Sequence, residues 1–121
     1  MKRDLELIRA ILLQIEAADS AKERIGTESF LNLNADRNVI AFHLDLLVDA
    51  GFIEGIPVTA IGIHDFYVER LTFAGCDYLD AVRDDSVWKS TNERLKAVGS
   101  SAALEVVKGV ANAVARSALG I

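Results

Sequence analysis

The stretch from Asp36 to Ile53, DRNVIAFHLDLLVDAGFI, constrains the rest of the chain more than any other. Ile40, Leu44 and Leu47 recur at helical spacing, so one apolar stripe runs along a helix over 36–50. Ala50-Gly51 supplies the stop signal, and Phe52-Ile53 opens an extended segment immediately afterwards. A helix closed by glycine and passing straight into a strand predicts a mainly α (α+β) architecture.

The other elements fall into order around this helix. From Arg3 to Ala18, Leu5, Ile8, Leu12 and Ile15 form one stripe with Ile11 beside it, while Glu6, Arg9 and Glu16 lie away from it. This is the pattern of an amphipathic first helix. Asp19 to Asn34 begins as a polar turn and continues as RIGTESFLNL, which reads as a short strand or irregular connection, with either a very short helix near Ser29 to Asn34 or an abbreviated motif. Asn34 or Asp36 caps the helix that follows, because a short polar side chain can accept from the free amides of the first turn. After Gly51, FIEGIPV and DFYVERL read as the two strands of a hairpin joined through Thr59 to His64, with Pro57 at an edge or turn and Gly62 helping the reversal.

Thr72 is placed to cap a helix from Phe73 to Arg83, in which Gly75 permits close packing and Phe73, Cys76 or Tyr78, Leu79 and Val82 supply apolar contacts. Asp84-Asp85-Ser86 interrupts it and caps a further helix, Val87 to Val98, anchored by Trp88 and Leu95. Gly99-Ser100-Ser101 breaks the chain again before a last helix, Ala102 to Leu119. There Leu104, Val107, Val110, Ala111, Val114 and Ala118 share one face, with Glu105, Asn112 and Arg116 opposite. That stripe either packs within the chain or serves as an oligomerisation helix, since small residues let helices approach closely.

Charge is distributed unevenly. Residues 1–85 hold 8 Lys and Arg against 16 Asp and Glu, a net of −8, whereas residues 86–121 hold 5 against 2, a net of +3. A surface that approaches duplex phosphates should carry clustered positive charge, since neutralising phosphates supplies most of the affinity. The globular part has the opposite sign. The single cysteine, Cys76, cannot form an intramolecular disulfide, and the opening MKRDLELIR lacks the apolar core and cleavage site of a secretory signal, so a cytoplasmic address is expected. Lys108, Asn112 and Arg116 interrupt the longest aliphatic segment, which leaves no run near the roughly 20 residues needed to span a bilayer.

Candidates for chemistry are few, and no catalytic, metal or cofactor site is expected. His43 lies in the apolar arc of its helix, where a satisfied buried histidine explains it better than a base or a ligand. His64 has Asp65 beside it, but the spacing supplies no further ligands. Asp77, Asp80 and Asp84 stand at helical neighbour spacing, as a solvated face and a cap would, and Cys76 has no adjacent base to activate it. Lys89, Arg94 and Lys96, near Trp88, form a small basic patch that either touches a nucleic-acid backbone or an acidic partner, or pairs with the acidic helix Asp77 to Asp85.

Three blocks carry a resemblance: the opening MKRDLELIRAILLQIE, the run from Phe42-His43-Leu44 to Ile53, and RLTFAGCDYLDAVRDDSVWKSTNERLKAVGSSAALEVVKGVA. They resemble a family of small phage- and prophage-associated proteins of unknown function. The shared pattern is Leu71-Thr72, Gly75, Arg83-Asp84-Asp85 and Val87-Trp88, then a basic helix and a final apolar helix. The resemblance implies a winged-helix-like N-terminal fold and a home in mobile genetic elements, with no activity attached. Val39, His43-Leu44, Leu47, Gly51-Phe52-Ile53 and the later Leu71-Thr72-x-x-Gly75 are also similar to regulators of the arsenical-repressor and multiple-drug-resistance types, whose recognition helix precedes a wing.

That second similarity places Ile40, Leu44 and Leu47 inward and presents Asn38, Val39, Ala41, Phe42 and Asp45 to the groove. Val39 and Phe42 are either bare there or on a second buried face, which leaves Arg37, Asn38, Ala41, Asp45, Val48 and Asp49 exposed, with Arg37, Asn38, Ala41 and Asp45 as the candidate recognition-helix face. Base reading favours Arg, Lys, Asn, Gln, Ser and Thr, and among the groove-facing positions only Asn38 fits well. The expected protein is thus a winged-helix-like domain over 1–85, with a small β-hairpin wing at 56–66, and a helical C-terminal extension over 86–121. Its expected role is a non-enzymatic interaction module of phage or prophage type, a homo-oligomer regulating an unidentified host or phage protein through protein contacts and without a membrane. The alternative is a DNA-binding transcriptional regulator using the helix 36–50 and the wing, which the charge disfavours.

Overall fold

The computed structural model describes residues 1–18, 25–60, 62–97 and 103–120. The polar turn expected from Asp19, the break at Gly99-Ser100-Ser101 and the expected helix limits at Val98 and Ala102 lie outside these residues, and of His64 only the backbone is described. The chain divides into two compact units, Met1–Cys76 and Asp77–Ile121. Among the described residues there are five α-helices and one three-stranded antiparallel sheet.

In the first unit, Asp4 opens α1 (Leu5–Ala17), its carboxylate accepting from the Leu7 N–H at 3.1 Å. This satisfies one of the amides that a helix start leaves without a partner. Leu7, Ile8, Ile11, Leu12 and Ile15 are buried, so the stripe is the expected one with two exceptions: Leu7 replaces Leu5, which is half-buried, and Arg9, expected away from the stripe, is buried with it. Next come β1 (Ile25–Gly26) and a single 3-10 turn, Thr27–Phe30. Both readings of RIGTESFLNL are therefore present in reduced form, a two-residue strand and a very short helix. The Thr27 N–H donates to the Asp65 carboxylate at 2.9 Å, which ties the segment to the sheet, and Phe30 is fully buried beside it in sequence.

Of the two cap candidates for helix α2 (Arg37–Asp49), Asp36 is the cap, accepting from the Asn38 N–H, while Asn34 accepts from the Asp36 N–H just before the helix, each at 2.9 Å. Ile40, Leu44 and Leu47 are completely buried. Removing such side chains from water contributes about 1.5–3 kcal/mol each. Gly51, at φ 75°, turns the chain out of α2 and into β2 (Ile53–Ala60). That strand pairs with β3 (Ile63–Leu71), and the sheet order is β1-β3-β2. The strands run further than the expected Thr59-to-His64 connection allows: Thr59 pairs with His64 and Ala60 with Ile63, and Gly62 stands at φ 74°. This register puts Pro57 opposite Phe66 on the edge strand.

Helix α3 (Phe73–Val82) starts at a tight joint. Thr72 takes the backbone of Phe52 through its N–H at 2.9 Å, donates its hydroxyl to the Gly51 carbonyl, and accepts from the Gly75 N–H at 3.1 Å. A Cβ on Gly75 would stand 2.0 Å from the Phe52 carbonyl oxygen, so only glycine fits. Along α3, Gly75, Tyr78, Leu79 and Val82 are buried. Phe73 falls on the opposite side, at 89% exposure, and Cys76 is exposed too. Neither supplies the apolar contact expected of it, because at about 100° per residue both positions point away from the buried face.

In the second unit, α4 (Asp85–Ala97) is capped by Asp84, whose carboxylate accepts from the Val87 N–H at 2.9 Å. Its buried stripe is Trp88, Thr91 and Leu95, with the Thr91 hydroxyl donating to the Val87 carbonyl at 2.7 Å. Helix α5 (Leu104–Leu119) packs against α4 and ends at Gly120, at φ 76°. No helix among the described residues is long and apolar enough to cross a membrane.

Candidate functional site

The outward side of α2 and the wing formed by β2 and β3 enclose a groove of about 380 Å³. From α2 it is lined by Asn38, Ala41, Phe42 and Asp45, which at positions i, i+3, i+4 and i+7 make one continuous stripe. Pro57, Asp65 and Phe66 close it from the wing. The structure therefore gathers three of the four expected recognition-face residues, Asn38, Ala41 and Asp45, around one concavity. Phe42 belongs to it as well: its half-buried ring meets the His43 ring edge-on, with centroids 5.3 Å apart.

Arg37, the fourth residue of that face, is engaged elsewhere. Its Nη1 lies 2.8 Å from Glu28 Oε1 and its Nη2 lies 3.8 Å from Asp65 Oδ2. The first distance is that of a charge-assisted hydrogen bond. Asp65 is the knot of this corner: one carboxylate oxygen accepts from the backbone N–H groups of Thr27 at 2.9 Å and Phe66 at 2.7 Å. Partial burial works to raise its pKa, but the bonds from the Thr27 side chain and backbone and from the Phe66 N–H, with the Arg37 charge nearby, outweigh that and hold it below the ordinary carboxylate value. Asp45 and the Asn38 amide are exposed and make no side-chain hydrogen bond or ion pair among the described residues.

The surroundings reinforce the negative sign. Arg70 is held by Glu54, with Nη2–Oε1 at 2.8 Å and Nε–Oε2 at 3.2 Å. Over the whole first unit the sequence holds 7 Lys and Arg against 12 Asp and Glu, a net of −5.

His43 is a structural residue. Buried to 1% exposure, it accepts from the Asp4 N–H at Nε2 (2.9 Å), and its Nδ1 lies 2.8 Å from the Val39 carbonyl oxygen. Both contacts are satisfied together only by the neutral ring protonated on Nδ1.

In the second unit, Lys89, Arg94 and Lys96 are exposed and take part in no ion pair among the described residues. The expected pairing with the acidic helix is not found, because its carboxylates have other partners: Asp77 binds Lys108, Asp80 binds Arg83 at 2.8 Å, and Asp84 caps α4. The Asp77 carboxylate raises the Lys108 pKa above its ordinary value. Nor do the three cations make one compact patch. Lys89 and Lys96 share a flank of α4, while Arg94 lies about 140° around the helix from Lys89. On α5, Val107, Ala111 and Val114 are buried within the single chain, Leu104 and Val110 are half-buried, and Ala118 is exposed.

Pro57 and Phe66 were not apparent as site residues in the sequence. The signal that identifies them is the hairpin register: with Ala60 opposite Ile63, Pro57 and Phe66 become direct partners.

No solved structure matches this chain. A protein of Haemophilus influenzae (strain Rd), described as uncharacterized, is 32% identical over 114 residues, covering 94% of this chain and 95% of the relative. The family model described as Hypothetical protein (DUF2513) matches residues 2–101. With the match spanning both units, the chain belongs to the DUF2513 family.

Proposed function

We propose that this chain is a non-enzymatic, winged-helix-like interaction module that acts as a regulator through protein–protein contacts, using the face formed by α2 and the wing. The observation that carries this reading is the state of Arg37. The cation best placed to meet a phosphate beside the groove is bound by Glu28 and faces Asp65, while the free groups of the face are a carboxylate and an amide. Phosphate contacts dominate nucleic-acid affinity, and this face would repel them. A cytoplasmic setting and the phage or prophage association implied by the sequence resemblance are part of the same reading. Self-association through the α5 stripe is not, since its central side chains are buried in the chain; an assembly using α5 would need its outer face, where Val106 and Leu119 are exposed.

DNA binding is the second reading, favoured by one specific feature: a helix leading into a hairpin wing, with the Asn38 amide free at its start. Size-exclusion chromatography with light scattering, with and without random duplex DNA at low salt, separates the two. Protein contacts predict an elution volume and mass that ignore DNA. A DNA-dependent shift abolished by salt would favour the second reading.

A further inference from the structure

Three properties of the groove between α2 and the wing narrow down its occupant. Its walls are apolar and partly aromatic, with Ala41 and Phe42 on one side and Pro57 and Phe66 on the other. Its charged groups are carboxylates alone, Asp45 without a partner among the described residues and Asp65 with Oδ2 3.8 Å from Arg37, beyond the 2.7–2.9 Å of a full charge-assisted bond. It is also an open groove along the surface, which an extended segment of another chain can reach.

An anion is refused by both carboxylates, and a purely apolar side chain would strip water from Asp45 with nothing to replace it. A guanidinium or ammonium satisfies every wall at once: it pairs with the carboxylates, its stem lies along apolar surface, and its charge sits favourably over an aromatic ring. We propose that this groove receives an arginine or lysine side chain, flanked by apolar residues, from a segment of a partner protein. The proposal rests on the protein-contact reading above and adds the chemistry of the partner.

The test is an amide-resolved NMR titration of the full chain with the peptide acetyl-Leu-Arg-Leu-Arg-Leu-amide. Two controls replace both arginines, one with citrulline, which keeps the shape and removes the charge, and one with glutamate. The expected result is saturable shifts at Asn38, Ala41, Asp45 and Phe66, about tenfold weaker binding for the citrulline peptide and none for the glutamate peptide. Tenfold corresponds to about 1.4 kcal/mol. Asp45→Lys should weaken the arginine peptide at least as much while leaving the amide spectrum away from the groove unchanged, since Asp45 is exposed.

Equal binding of the arginine and citrulline peptides would overturn the proposal. So would shifts confined to the other face of the wing around Ile56 and Val58, or no binding at all; these outcomes leave the protein-contact reading intact. Groove amides that respond instead to random duplex DNA at low salt would overturn both.

Discussion

The two units hold themselves together in different ways. In Met1–Cys76, polar links join residues far apart in sequence: Asp4 to His43, Thr27 to Asp65, and Thr72 to Gly51. In Asp77–Ile121 polar links also run between near neighbours, from Asp80 to Arg83, Asp84 to Val87 and Thr91 to Val87, alongside the longer tie of Lys108 to Asp77. Apolar stripes on α4 and α5 carry the rest. The charges differ too. The first unit is acidic with its groove-side arginine engaged, whereas the second balances 6 Lys and Arg against 6 Asp and Glu and leaves lysines free on α4. On the protein-contact reading proposed above, the pairing state of the cations, rather than the helix-and-hairpin shape, decides what this face binds.

The largest expected effect tests the apolar side of this contrast. Trp88→Ala removes the biggest side chain of the α4 stripe and should cost about 3–5 kcal/mol, read by chemical denaturation followed by circular dichroism. An effect under about 1 kcal/mol would mean that the second unit does not depend on its stripe. Gly75→Ala comes next, at about 3 kcal/mol, because its new methyl meets the fixed carbonyl of Phe52 rather than a side chain that can move. A neutral outcome in the same melt would show that the joint between α2 and α3 is softer than its geometry.

His43→Leu sharpens the long-range polar side of the comparison. It keeps bulk but strands the Asp4 N–H, while the Val39 carbonyl keeps its helical bond, for an expected loss of about 1–3 kcal/mol. In the unsubstituted protein, nitrogen NMR should find the ring proton on Nδ1; a proton on Nε2 would contradict the Asp4 contact.

The smallest effect concerns pH. The folded-state pKa of Asp65 is lowered, so its contribution to stability is complete above the ordinary value of 3.8 and is lost as pH falls through the lower folded value. Asp65→Asn should therefore be less stable than the parent at neutral pH, with the gap narrowing only in strong acid. A gap independent of pH down to the acid limit would remove Asp65 as an electrostatic tie.

Much of this fold was legible because the signals are local. The stripes of α1 and α2, the Asp36 and Thr72 caps, the glycine stop at Gly51 and the two hairpin strands all follow from spacing and side-chain chemistry within a few residues. What escaped depends on distant partners. Phe73, and Cys76 as the alternative to Tyr78, are expected inward because they are apolar, yet Gly75 is the residue that meets the Phe52 carbonyl, Phe73 lies on the opposite side of the helix, and Tyr78 rather than Cys76 is buried. The groove was half visible: Asn38, Ala41 and Asp45 follow from helical phase, while Pro57 and Phe66 join them only through the hairpin register. The engagement of Arg37 was out of reach, since Glu28 and Asp65 converge on it from a 3-10 turn and a strand.

The most direct test of the central claim is fluorescence anisotropy of labelled random duplex DNA at low salt, with the parent chain, with Arg37→Ala/Asn38→Ala, and with Lys89→Ala/Lys96→Ala. If the α2 and wing face is a protein-binding surface, the first pair of substitutions leaves any DNA titration unchanged, and whatever weak, salt-sensitive binding exists falls with the lysines of α4. Salt-sensitive binding that disappears with Arg37 and Asn38 and survives loss of Lys89 and Lys96 would contradict it, and would make α2 a recognition helix after all.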